Sequence, residues 1–277
     1  MISLKLGIST CPNDTFIYEA LIRGISGSPF HWEVVFADVQ TLNEMVLRGE
    51  LDVAKVSCGV LPLLQNYRLL SCGGAMGYGC GPLLLSAQKN GKFRLDAATA
   101  LPGENTTASL LFRFWAARTQ KAYHPSVSYA FFNDVYDGIL SGKNLQGVVI
   151  HEKRFTWERD GLGFLADLGA FWEEETRAPI PLGCSVVKKT LEESIVNAVE
   201  DEIRQSLDWA WNRPALVSDF IREKAQIPDD DVIEKHIRMF VTDFTRDIGD
   251  SGRRAIEFLK TQIRQEGVKV ACRAPQM

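Results

Sequence analysis

Between Leu4 and Val56 the hydrophobic period alternates between that of a strand and that of a helix. Leu4–Ser9 alternates polar and apolar residues as a strand does, and the loop Thr10-Cys11-Pro12-Asn13 follows it. Phe16, Ile17, Ala20 and Leu21 then share one helical face. This predicts a helix from about Asp14 to Arg23, capped by Asn13 or Asp14 and ended by Gly24. Trp32–Phe36 reads as a second strand. Leu42, Met45 and Val46 mark a second helix closing at Gly49, and Asp52–Val56 a third strand. A βαβαβ opening of this kind is the signature of a doubly wound α/β lobe.

The theme returns after a glycine-dense stretch, GGAMGYGCG at Gly73–Gly81, which is expected to cross between lobes. No helix with a Lys-Ser/Thr ending follows it, so it does not fit a phosphate-binding loop. Strands are expected from Pro82 to Ser86, at Ala98–Leu101 and at Val127–Phe132. Helices are expected from about Thr107 to Arg118 and around Val135, Ile139 and Leu140. Cys184–Val187 reads as a return strand. Beyond it the pattern is helical: Leu191–Trp211, Pro214–Lys224, Asp229–Thr242 and Ser251–Gln265. Lobe boundaries are expected near Leu84 and Val187. Residues 1–84 with 188–277 would form a discontinuous first lobe carrying the helical tail, and residues 85–187 the second.

An internal echo links the two halves. LRGELDVAKVS ends a helix, turns on Gly49 and runs a strand into Ser57. LSGKNLQGVVIH, one residue longer, does the same and ends on His151. In open α/β sheets ligands bind outside the carboxyl ends of strands. Two such lobes facing each other would set Ser57 and His151 across one cleft. Alone, His151 reads either as a core histidine with one satisfied hydrogen bond or as a base at a cleft mouth. The echo brings the second reading level with the first.

Composition narrows the function. The 277 residues are 45% hydrophobic and 24% charged, ordinary for a soluble globular enzyme. A net charge of −4, with no basic run interleaved with aromatics, argues against a nucleic-acid surface. The first residues lack the apolar region of a signal peptide, and no apolar segment approaches a membrane span. None of the six cysteines forms a C-x-x-C pair, and no His/Cys cluster has zinc-like spacing. A cytoplasmic protein with reduced thiols, none of them a metal ligand, is the expectation.

Other residues could carry chemistry. Thr106, Thr107 and Ala108 open a helix, where free N–H groups favour an anion, although on this stretch alone plain capping by threonine is the commoner arrangement. Ser57 lacks a G-x-S-x-G elbow and suits a ligand hydrogen bond better than nucleophilic attack. Lys55 is either a solvated lysine or part of a cleft wall. His31, His124 and His236 are not expected to be catalytic.

Several stretches resemble one family. STCPNDTFIYEAL, KVS at Lys55–Ser57, PGENTTA at Pro102–Ala108, IHEKRFTW at Ile150–Trp157 and DLGAFWEEETRAPIPLG at Asp167–Gly183 are similar to the signature stretches of the 1,4-dihydroxy-6-naphthoate synthases of the futalosine route to menaquinone. The resemblance runs in order over the first two thirds of the chain. Thr10 departs from it, standing where proline is usual.

The resemblance implies an α/β, two-lobed type II periplasmic-binding-protein-like fold with a central cleft and a helical C-terminal segment. It implies a cofactor-independent lyase that cleaves a small carboxylate, cyclic dehypoxanthinyl futalosine, to 1,4-dihydroxy-6-naphthoate and dihydroxyacetone. His151 would be the proton acceptor, and Lys55, Val56, Ser57, Thr107 and Ala108 would contact substrate. Alternatives sharing the fold are a solute-binding protein for a small carboxylate, the chorismate dehydratase of the same pathway, and the effector lobes of a transcription regulator.

Overall fold

The structure, a computed structural model, describes residues 1–25, 27–119 and 125–265. In chain order its elements are β1 (Ile2–Ile8), α1 (Pro12–Ile22), β2 (Phe30–Phe36), α2 (Val39–Leu47), β3 (Val53–Ser57), β4 (Tyr67–Leu69), β5 (Ala75–Gly77) and β6 (Leu83–Ser86). Then come β7 (Thr99–Leu101), α3 (Thr107–Thr119), β8 (Val127–Tyr129), α4 (Phe132–Leu140), β9 (Gln146–Val149), β10 (Gly163–Asp167), α5 (Leu168–Thr176) and β11 (Ile180–Lys188). The rest is helical: α6 (Glu193–Asn212), α7 (Asp219–Lys224), α8 (Asp230–Phe240), α9 (Asp243–Arg246) and α10 (Gly249–Gln265). Two 3-10 turns, Cys58–Leu63 and His151–Phe155, follow β3 and β9.

The strands form two sheets. The first has the order β2-β1-β3-β11-β4, with β5 also paired to β11. β1 runs parallel to β2 and β3, as helical crossovers require, and β11 returns antiparallel with Ser185 opposite Lys55 and Gly183 opposite Ser57. The second has the order β10-β6-β9-β7-β8, with Leu84 opposite Val148 in the antiparallel β6–β9 pair. The chain leaves the first sheet between β5 and β6 and returns between β10 and β11. The glycine-dense stretch is therefore not all crossover, since Ala75–Gly77 is a strand of the first sheet. The return lies ahead of Ile180 rather than near Val187, because β11 pairs with β3 through Val187.

Burial explains the helices. α1 is buried on every side from Pro12 to Leu21, as expected of a helix enclosed between a sheet and other helices. The C-terminal helices supply that cover. Val196, Val199, Ile203, Leu207 and Ala210 of α6 share a core with Phe16, Ile17 and Leu21, joined by Ile221 of α7 and Ile233 and Ile237 of α8. The expected helix at Pro214–Lys224 shortens to α7. Arg213, preceding a proline, is extended at ψ 154°, and Ser218 restarts the helix by accepting from the Ile221 N–H at 3.2 Å. Among the described residues no helix is long and apolar enough to cross a membrane.

Candidate functional site

A cleft of about 770 Å³, counted to its open mouth, lies where the two lobes meet. Its wall includes all six residues singled out in the sequence: Lys55, Val56, Ser57, Thr107, Ala108 and His151. The echo has its counterpart in the backbone. Ser57 ends β3 and His151 follows β9 by two residues, and each strand runs into a 3-10 turn.

The first lobe's floor is a buried ion pair. Lys55 Nζ donates to Asp14 Oδ1 at 2.9 Å, with the side chains 5% and 7% exposed. The helix starts earlier than expected, with Cys11 as N-cap and Pro12 in the first turn, so neither Asn13 nor Asp14 is the cap. Asp14 sits instead within the first turn. Its carboxylate also accepts from the Ser9 hydroxyl at 2.7 Å and from Asn13 Nδ2 at 2.9 Å. Lys55 is thus neither solvated nor free.

Ser57 and Thr107 join the lobes. Ser57 Oγ accepts from the Thr107 N–H at 2.7 Å and from the Gly59 N–H at 3.3 Å, so one hydroxyl caps both the 3-10 turn and α3. The Ser57 O–H lies 3.2 Å from the Thr107 hydroxyl and 3.4 Å from the Leu182 carbonyl, and a ligand would have to compete with these acceptors for it. The Thr107 hydroxyl lies 3.1 Å from the carbonyls of both Pro181 and Leu182 and can donate to either. Among the described residues the Ala108 N–H meets no protein acceptor, whereas Ser109 N–H donates to Thr106 Oγ1 at 3.2 Å. Of the expected pair it is therefore Ala108 that offers a free helix-terminal donor for an anion. Gly59 has to be glycine here: a Cβ would come within 2.6 Å of the Thr106 carbonyl carbon across the lobe contact. Asn43 strengthens the same contact, accepting from Ser57 N–H at 3.0 Å and donating to the Asn105 carbonyl at 3.1 Å.

His151 faces this floor from the second lobe. It holds the left-handed region at φ 58°, where a non-glycine side chain is strained, and such residues cluster at functional sites. Its Nδ1 lies 3.4 Å from Cys11 Sγ, and its ring packs edge-on to Phe132 at 4.7 Å between centroids. Burial pushes its pKa down to about 4, with Asp14 opposing the shift and Lys55 adding to it. The ring is neutral near pH 7 and carries a lone pair. Next to it Glu152 is 1% exposed, with Oε1 unpartnered, and burial pushes its carboxyl up to about 7.

His236 is a site residue that the sequence reading set aside. It lines the cleft, stacks on His151 at 6.3 Å and 15°, and contacts Asn13 Oδ1 through Nε2 at 3.0 Å. Since Asn13 Nδ2 donates to Asp14, its Oδ1 is the free acceptor, and the His236 proton belongs on Nε2. The available signal was its place four residues after Val232 and four before Phe240, on the apolar face of α8. His31 is exposed on β2, and His124 lies outside the described residues.

Two apposed α/β lobes with a ligand-sized cleft at their junction define a protein of the periplasmic-binding-protein fold. Solved structures agree. A protein from Archaeoglobus fulgidus superposes with a TM-score of 0.88 at 24% identity, covering 96% of this chain and 98% of that one. A Candida albicans protein described as having the generic periplasmic binding protein fold gives 0.67 at 10% identity, covering 98% and 92%.

Sequence relatives carry the identification further. A family described as menaquinone biosynthesis matches residues 4–265. The 1,4-dihydroxy-6-naphthoate synthase of Streptomyces coelicolor is 41% identical over 268 residues, 96% of this chain and 94% of that protein. The enzyme of the same name from Thermus thermophilus is 36% identical over 269 residues, 97% and 96%. The chain belongs to this menaquinone-biosynthesis family, with the 1,4-dihydroxy-6-naphthoate synthases, and is an enzyme of that pathway.

Proposed function

We propose that the chain is a carbon–carbon lyase that cleaves cyclic dehypoxanthinyl futalosine to 1,4-dihydroxy-6-naphthoate and dihydroxyacetone, in the cytoplasm and without a cofactor. The observation that carries the reading is the meeting, in one cleft, of a strained neutral histidine with the two helix-opening and strand-ending segments that the family resemblance singled out.

Cleavage that releases a carbonyl compound resembles a retro-aldol step. It needs a base to take a proton and a site that holds the remaining ring system. His151 is the base: unprotonated well below neutral pH, it can accept as the carbon–carbon bond breaks. The substrate carboxylate lies at the start of α3, where the Ala108 N–H is unengaged and the helix dipole favours negative charge. The Ser57 O–H supplies a further donor. Lys55, its charge balanced by Asp14, shapes the floor without acting as a nucleophile. Aromatisation of the product supplies driving force.

Incubation of the purified chain with cyclic dehypoxanthinyl futalosine tests this, with mass spectrometry for both products. Release of dihydroxyacetone and the naphthoate in equal amounts is expected. Binding without product would favour a solute-binding protein, and turnover of chorismate instead would favour the dehydratase of the pathway.

A further inference from the structure

One cluster shares only His151 with that reaction. Cys11 caps α1 in the first lobe, while His151 and Glu152 open the turn after β9 in the second. Each offers one ligand atom, and the three atoms lie within 4.8 Å of one another. Cys11 and Glu152 are 2% and 1% exposed. Glu152 Oε1 has no hydrogen-bond partner, and a buried acceptor left unpaired calls for an explanation.

The donor set selects the ion. Sulfur, imidazole nitrogen and carboxylate oxygen suit Zn²⁺, whereas Mg²⁺ and Ca²⁺ prefer oxygen alone. Tetrahedral zinc with S at about 2.3 Å and N at about 2.0 Å separates the two ligand atoms by about 3.5 Å. Cys11 Sγ and His151 Nδ1 already stand 3.4 Å apart. With the three atoms within 4.8 Å of one another, Glu152 has at most about 1.5 Å to close by side-chain rotation to reach tetrahedral spacing. Three protein ligands leave a fourth position for water or substrate.

We propose that Cys11, His151 and Glu152 form an inhibitory Zn²⁺ site that bridges the two lobes. Coordination through Nδ1 keeps the imidazole proton on Nε2, so the ring has no lone pair left for a base. Zinc therefore stops turnover and ties the two lobes together. The inhibition rests on the lyase reading; the binding does not.

The test uses Co²⁺ as a spectroscopic stand-in on EDTA-treated wild-type protein. A thiolate-to-cobalt charge-transfer band is expected in the near ultraviolet, bleached by one equivalent of Zn²⁺. Cys11→Ser should lose the band, and the isosteric Glu152→Gln should keep it but bind Zn²⁺ at least tenfold more weakly, with circular dichroism reporting the fold of each. No band in the wild type, or a band that survives Cys11→Ser, overturns the site. Zinc is expected to slow turnover reversibly, with EDTA restoring it. A Co²⁺ band with zinc-insensitive turnover overturns the inhibition. A normal band in a protein that turns over nothing instead counts against the lyase reading alone.

Discussion

The Asp14–Lys55 pair should be strongly asymmetric to mutation. Both groups are buried, and removing one partner of a buried pair typically costs ~3–5 kcal/mol because the survivor keeps an uncompensated charge. The survivors differ here. After Lys55→Met the Asp14 carboxylate still accepts from the Ser9 hydroxyl at 2.7 Å, the Ser9 N–H at 3.3 Å and Asn13 Nδ2 at 2.9 Å. After Asp14→Asn the Lys55 ammonium faces a neutral amide, and among the described residues it has no other hydrogen-bond partner. Lys55→Met should therefore cost about 1.5–3 kcal/mol, the worth of one charged hydrogen bond. Asp14→Asn should cost the full ~3–5 kcal/mol. The double variant should be less destabilised than the sum of the two, by about 0.5–3 kcal/mol, since the residues touch. Urea unfolding followed by tryptophan fluorescence, with the slope unchanged between variants, measures all three. If Lys55→Met costs as much as Asp14→Asn, the donors from Ser9 and Asn13 do not hold the carboxylate, and the reasoning fails.

The pH profile of kcat/KM should follow the desolvation of the His151 ring. The active form is the neutral ring, so the rate should hold as pH falls through 6 and drop as it passes about 4; half-loss near the ordinary histidine value would show that the ring is not desolvated. Thr107→Val removes the hydroxyl near the Pro181 and Leu182 carbonyls and should mainly raise KM, with some loss of stability; steady-state kinetics showing a collapsed kcat at unchanged KM would argue for a chemical role. Cys11, Cys58, Cys72, Cys80 and Cys184 are buried free thiols, with burial pushing Cys72 and Cys80 up to about 12. A thiol reagent should find them unreactive in the native protein, yet titrate all six cysteines after denaturation without reductant, Cys272 (outside the described residues) included; a count below six would mean that some are oxidised.

Much of the fold was legible because its elements are locally self-consistent. The alternation in Leu4–Val56 marked strands and helices that exist close to where the pattern put them. The helix–glycine–strand echo marked two strand ends that do open on one cleft. The misses have physical causes. β4 and β5 are three residues each and owe their pairing to β11, a hundred or more residues away, so no local period announces them. The α1 start was misplaced because Cys11, a weak capping residue, takes the cap while Pro12 fixes the first turn. Asp14 was read as a cap for the same reason, which hid its bond to Lys55. His236 reaches the site only because α8 packs against the turn after β9, a tertiary contact that a single sequence does not encode visibly.

The role of His151 as the base is tested most directly by the turnover of cyclic dehypoxanthinyl futalosine by wild type and by His151→Asn, followed as dihydroxyacetone release. Asparagine keeps a polar side chain at the strained position, and it tolerates a left-handed backbone better than most residues do. Fold and substrate affinity should therefore hold, while kcat falls by about 10²–10⁴, the usual contribution of a positioned general base. A well-folded variant that releases dihydroxyacetone at close to the wild-type rate would contradict the account and leave His151 a structural residue of the cleft wall.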